Sequence, residues 1–162
     1  MFQIGDKVVH PMHGAGIIDN IVTEKVAGVV QEYYVFTMPM GGLVLKIPVA
    51  NSAVIGLREV VDGTYAEEVI SAVADLDVDM TTNWNRRYRE NMDRLKSGNL
   101  YEVARVIKGL MLRDNERGLS TGERKMLHSA KQIFISEMVL AKGDAYHDIE
   151  GRLNSCMMKE TV

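Results

Sequence analysis

The chain has one cysteine, three prolines and one tryptophan in 162 residues. Cys156 has no second cysteine to pair with, so no internal disulfide can brace the fold. A reducing cytoplasm is the expected compartment. No apolar run is long enough to span a bilayer, and Met1 to Asp6 do not follow the basic-then-apolar order of a secretory signal. Catalytic signatures are missing too. There is no Gly-Lys-Ser/Thr phosphate loop, no dinucleotide glycine fingerprint, no nucleophile elbow and no His-Glu-x-x-His. Metal ligands are sparse: His10 and His13 sit in His-Pro-Met-His-Gly, which reads as a turn, and His128 and His147 stand alone. The expectation is a protein that is not an enzyme, with no cofactor, no metal and no small-molecule substrate.

Positive charge is also scarce overall. The net charge of −3 argues against tight nonspecific binding to DNA, which needs many phosphate contacts. Its distribution says more. Residues 82–131 carry 12 Lys/Arg against 6 Asp/Glu, while the rest of the chain carries 7 against 16. One basic segment in an acidic protein can form a local anion-binding face.

Composition fits a globular protein, with 46% apolar and 25% charged residues, and the 11 methionines read as core filling. To about Val54 the pattern is β. Lys7-Val8-Val9, Ala15 to Ile18, Glu32 to Thr37 and Gly42 to Pro48 are short strand candidates separated by turn residues, among them Ala27-Gly28. So many short strands in so few residues suggest a small barrel, SH3- or Tudor-like. After Gly56 the period becomes helical, with helices expected over Asp62–Leu76, Thr82–Ser97, Leu100–Glu116, Ser120 to about Lys142 and Asp144–Met158. Gly98 and Gly118 suit left-handed helix ends, and Ser120-Thr121-Gly122-Glu123 is a capping box. The expected class is α+β multidomain: a β-barrel domain over residues 1–56, then an all-α helical bundle over 57–162.

The richest stretch is Thr82-Asn83-Trp84-Asn85-Arg86-Arg87-Tyr88-Arg89. Trp84 stands four residues before Tyr88, so the ring can simply stack and extend a core stripe. It can equally meet nucleic acid, the arginines neutralising phosphates while the indole stacks on or wedges against a base step. Arg86 and Arg89 share a helix face, and Arg86 can instead pair with Glu90. A second basic cluster, Arg117, Arg124, Lys125 and Lys131, surrounds the capping box. There a helix N-terminus offers free N–H groups to a phosphate. The competing reading is a solvated basic face with a structural cap.

Over nearly its whole length the chain resembles the CarD/CdnL family of bacterial transcription regulators. The resemblance rests on Phe2 to Val9 (FQIGDKVV), His10 to Gly14 (HPMHG), Ile47-Pro48, Thr82 to Tyr88 (TNWNRRY) and Arg113 to Leu127 (RDNERGLSTGERKML). The last two, in that order and spacing, are the most specific. The β part is similar also to a module of the transcription-repair coupling factor, whose helicase motor this chain lacks. The resemblance implies a Tudor-like domain on the RNA polymerase β subunit and a helical domain on promoter DNA at the upstream edge of the bubble, without sequence-specific readout. It also implies a nucleoid-associated, cytoplasmic location.

The family's aromatic wedge falls on Trp84. Its DNA-facing basic positions fall on Arg86 and then Arg89 and Arg124, with Arg87, Arg117 and Lys125 completing the expected DNA-binding set. Polymerase contacts fall on Lys46 and near Glu24-Lys25, where Glu24 departs from a commonly basic position. The expected function is stabilisation of the open promoter complex. The alternative is an adaptor on RNA polymerase that makes no direct DNA contact.

Overall fold

The computed structural model describes residues 1–158. Five strands, β1 (Lys7–His10), β2 (Gly14–Val26), β3 (Val29–Thr37), β4 (Val44–Pro48) and β5 (Arg58–Glu59), form one antiparallel sheet in the order β4-β3-β2-β1-β5. Alternation turns Tyr34 and Phe36 of β3 inward, where they meet Val8, Ile18, Met38 and Ile47. A register shift between Ile18 and Asn20 marks a bulge in β2, the device that bends a strand around a small core.

The expected barrel does not close, because β4 and β5 are the two edges of the sheet. Between them the chain runs through a 3-10 turn (Val49–Asn51) and the single-turn helix α1 (Ser52–Ile55), and the two-residue β5 pairs only with β1. The sheet also outlasts the expected boundary at residue 56: Leu57 belongs to the β core and Arg58–Glu59 to the sheet.

β2 and β3 are longer than the apolar pattern foretold. Beyond the bulge they continue as a two-stranded arm to Ala27-Gly28, whose φ values of 51° and 82° are those of a primed two-residue hairpin turn. The arm's tip exposes Val26, Val29 and Val30. Cross-strand backbone pairing maintains it there, without the buried face that a sequence pattern detects.

The helical part comprises α2 (Gly63–Ala72), α3 (Trp84–Lys96), α4 (Leu100–Arg117), α5 (Thr121–Lys142) and α6 (Tyr146–Met158). Asp62, Asn83, Asn99 and Ser120 cap the first four, each side-chain oxygen accepting a backbone N–H of the first turn. The helix expected over Asp62–Leu76 ends at Ala72 and tightens into a 3-10 turn, Val73–Asp75. There the buried Lys108 ammonium of α4 donates to the carbonyls of Val73, Ala74 and Leu76, satisfying acceptors that a helix end leaves over. Gly118 has the expected positive φ of 78°, but its ψ of 165° is extended, so α4 does not end in a left-handed cap.

α5 is the centre of the molecule. Ile133 to Met138 are all buried, and six consecutive residues cannot lie on one side of a helix with 3.6 residues per turn. One side packs into the helical core with Ile107, Leu110 and Ile70, and the other receives the sheet. At that seam Ala15 N–H donates to Ser136 Oγ at 2.8 Å, and Lys7 Nζ donates to the Leu140 carbonyl at 3.3 Å. Arg58 forms a two-pronged bond to Glu137, 2.7 Å on each prong. Val61 N–H also donates to Glu137 Oε2 at 3.0 Å.

Candidate nucleic-acid interface

Trp84 opens α3, one residue after its cap Asn83. Its side chain is 43% exposed. The indole stacks on Tyr88, with centroids 5.3 Å apart and planes 19° from parallel, and its Nε1–H donates to Ser120 Oγ at 3.2 Å. The packing reading therefore holds, and the ring is not sealed inside the bundle. One face of the ring packs on Tyr88, and the ring still reaches solvent. Gly122 adds the third support: a Cβ there would lie 3.7 Å from the indole and 3.9 Å from the Tyr88 ring. The first turn of α5 thus backs the aromatic pair.

Of the second basic cluster, Lys125 stands beside this aromatic pair. A small groove is bordered by Tyr88, Met92, Gly122, Lys125 and Met126, with Met12 of the β1–β2 turn at its mouth. Arg86 and Arg89 are exposed on the adjoining face of α3, where they line an open depression with Asn83, Glu90 and Asp93. Arg124 is exposed on the first turn of α5, its Nε donating to the Leu119 carbonyl at 3.2 Å. Arg117 is exposed on the last turn of α4, across the short Gly118–Ser120 connection. Arg86 also makes the anticipated local pair, Nε to Glu90 Oε1 at 3.1 Å.

Arg87 is the correction. It is 1% exposed. Its Nε donates to Glu123 Oε2 at 2.9 Å and its Nη1 to the carbonyls of Thr81 and Thr82. A guanidinium so enclosed cannot meet a phosphate, and Arg87 leaves the DNA-facing set. Its work is to fasten the start of α3 to the first turn of α5. Glu123 completes the fastening. Burial pushes its carboxyl upward, but the hydrogen bond and charge of Arg87, the charge of Arg113 and the Ser120 backbone together hold it below the usual carboxylate range.

A signal for this was present in the sequence. Arg87, Asn91 and Leu95 recur every four residues and are the buried positions of α3, a stripe whose polar members hide it from a hydrophobicity count.

On the sheet, Lys46 of β4 and Glu24 of β2 reach across β3 and form an ion pair with each other, while Lys25, the next residue of β2, is exposed. The glutamate that departs from the family pattern is thus the partner of the lysine expected to contact polymerase. The His10 and His13 rings lie 4.6 Å apart in their turn, and His10 Nδ1 accepts the Met12 N–H. Burial, with the charge of His13, pushes the His10 imidazole below its usual value. Among the described residues no three His, Cys, Asp or Glu side chains gather as a metal site, and no helix is long and apolar enough to cross a membrane.

The chain thus joins an open five-stranded sheet to a helical module that presents a propped, half-exposed aromatic. Comparison with known proteins gives both parts a match. Residues 2–61 match the CarD-like/TRCF RID domain, and residues 68–154 match the CarD C-terminal domain. A Bacillus subtilis (strain 168) protein named "Putative transcription factor YdeB" is 36% identical over 143 residues, which cover 88% of this chain and 94% of the relative. The chain belongs to the CarD/CdnL family of transcription regulators. Its role is in transcription, and its partner is of the transcription-machinery kind.

Proposed function

We propose that the sheet module binds the β subunit of RNA polymerase and that the face around Trp84 contacts promoter DNA at the upstream edge of the bubble, stabilising the open complex. The observation that carries this reading is the half-exposed indole at the start of α3, supported from behind by Tyr88, Ser120 and Gly122. An aromatic with one face packed and one edge free costs little to order and is suited to stacking on an unstacked base or wedging into a minor-groove step. Lys125 borders the groove beside the aromatic pair, Arg86 and Arg89 are exposed on the outer face of α3, Arg124 is exposed on the first turn of α5, and Arg117 lies across the α4–α5 connection. These are too few cations for tight binding to free DNA, so affinity is weak and salt-sensitive until polymerase brings the promoter close. A contact made only in the open state shifts the population toward it, by tenfold for each ~1.4 kcal/mol.

Glu24 and Lys46, with Lys25 next along β2, are the polymerase-facing residues of this reading. Because Glu24 already neutralises Lys46, the matching surface on polymerase carries charge of both signs.

The test is the lifetime of heparin-challenged open complexes formed with purified polymerase. Trp84→Ala shortens the lifetime about tenfold or more, consistent with a stacking contact of about 1–3 kcal/mol, and leaves binding to the β subunit unchanged. An unchanged lifetime removes the wedge.

The pairing of Arg86 with Glu90 favours a second reading, an adaptor on polymerase that never touches DNA. A promoter footprint taken with and without this protein separates the two, because an adaptor leaves the upstream edge of the footprint unaltered.

A further inference from the structure

The short connection from β5 to α2 does not set how the two modules face each other; α5 does. At its start, Ser120 accepts the indole N–H of Trp84, and Glu123 binds Arg87. Further along, Ser136 accepts the backbone N–H of Ala15, and Glu137 binds both Arg58 and the N–H of Val61. Ser120 and Glu137 are 17 residues apart on one unbroken helix, about 25 Å at 1.5 Å per residue. A single rod therefore holds the aromatic at one end and the sheet near the other.

The seam is built for close contact. Gly14 has φ of 117°, and a Cβ there would lie 2.5 Å from Ser136 Oγ and 3.3 Å from the Gln132 carbonyl. Only glycine lets β2 begin against α5 in this way, which gives the His-Pro-Met-His-Gly turn a purpose beyond reversing the chain. Glu137 is fully buried and receives three hydrogen bonds, from two nitrogens of Arg58 and from Val61. A buried ion pair is a poor way to gain stability compared with apolar packing, but a two-pronged one fixes direction.

We propose that Arg58, Ser136 and Glu137 are positioning residues. They make the protein a rigid strut, so that docking the sheet on polymerase sets the approach of Trp84 to the DNA. The inference rests on the proposed contacts of the two modules. A flexible tether would bring the indole near the DNA and leave it to search, losing orientational freedom on each contact. The strut has given up that freedom on folding, which is why so few cations and one aromatic suffice.

The double variant Arg58→Gln/Glu137→Gln tests this in the full-length protein. Glu137→Gln preserves side-chain size, Arg58→Gln keeps a shorter polar side chain, and being neutral on both sides the double variant strands no buried charge. Affinity for the β subunit is read by titration, the DNA face by fluorescence of Trp84, the sole tryptophan, and function by open-complex lifetime. Spin labels at exposed Val54 in α1 and exposed Asn115 in α4 report the distance between modules.

With the strut loosened, the β-subunit affinity and the Trp84 emission stay as in the parent. The distance distribution broadens, and the open-complex lifetime falls at least fivefold. A broadened distribution with an unchanged lifetime overturns the proposal, as does a distribution that stays narrow. Ser136→Ala, which deletes only the peg to Ala15, is the milder variant should the double variant melt below assay temperature, and it is judged by the same outcomes. Trp84→Ala in the same assay separates the two ideas. If it shortens the lifetime and the loosened strut does not, positioning fails alone. If it has no effect, the wedge reading fails and the strut loses its object.

Discussion

The two faces of α3 put neighbouring arginines to opposite uses. Arg86 points outward, 70% exposed in its side chain, and pairs with Glu90 one turn on. Arg87 points inward, 1% exposed, and pairs with Glu123 of another helix. The chemistry is the same and the consequence is not. In water an ion pair forms and breaks at little cost, so its arginine stays available to a partner. In the core, removing one partner strands the charge of the other, so the same pair is a fastening. The sheet repeats the contrast: Lys46–Glu24 lies on the surface and Arg58–Glu137 in the seam. The buried pairs hold the scaffold, and the exposed pairs lie on the surfaces proposed to exchange partners.

The sharpest way to break this comparison is to remove the carboxylate from the inner pair. Glu123→Ala leaves the Arg87 guanidinium buried without its counter-ion, a loss of about 3–5 kcal/mol. It also removes the carboxylate half of the α5 capping box. Urea unfolding followed by circular dichroism measures the change. A loss below ~1 kcal/mol would mean that water replaces the carboxylate and that the pair is no fastening. Trp84→Ala is its counterpart on the outer face. The packed part of the ring contributes some stability through Tyr88 and Ser120, but the distinguishing effect falls on open-complex lifetime.

The extent to which the sequence displayed all this depends on whether an interaction is local. The caps at Asp62, Asn83, Asn99 and Ser120 use partners two or three residues away, and the helices were placed to within a few residues of their ends. The Trp84–Tyr88 stack and the Arg86–Glu90 pair are each one helical turn long and were legible for the same reason. Long-range features were not. Arg58 and Glu137 lie 79 residues apart, and no period in either segment announces the other. Arg87 looked like its neighbours because the stripe it shares with Asn91 and Leu95 is mostly polar, and what it faces belongs to another helix. The open sheet follows the same rule. Strand patterns identify strands, but whether the first edge meets the last depends on the length of β5, only two residues.

The outer pair can be sharpened by removing its acid. Glu90→Gln frees Arg86 from its only ion-pair partner among the described residues. Stability changes by only ~0.3–0.5 kcal/mol, the usual worth of such a helical pair. Binding of promoter DNA by the polymerase-bound protein strengthens, and the slope of log affinity against log salt steepens by up to about 0.9, the contribution of one further phosphate contact. A DNA titration at several salt concentrations reads both. If neither affinity nor slope moves, Arg86 is not at the interface, and the adaptor reading gains.

The smallest effect tests whether exposure, rather than the number of partners, decides what a carboxylate contributes. Glu67 in α2 has two cations, Lys142 at 2.8 Å and Arg152 at 2.7 Å, yet its side chain is 46% exposed. The hydrogen bonds from Arg152 and then Lys142, outweighing burial, lower its pKa from 4.5 to about 2. A carboxyl depressed on folding stabilises the folded state above its unfolded value, and that contribution is lost as pH falls through the folded value. The window is therefore pH 4.5 down to about 2. Solvent screening keeps the gain small despite the size of the shift. Glu67→Gln should lower the melting temperature slightly at pH 7, by less than Glu123→Ala does, and the gap between parent and variant should close as pH falls through that window. A gap at pH 7 as large as that of Glu123→Ala would show that two partners at the surface equal one in the core, and the contrast between the faces of α3 would then lose its physical basis.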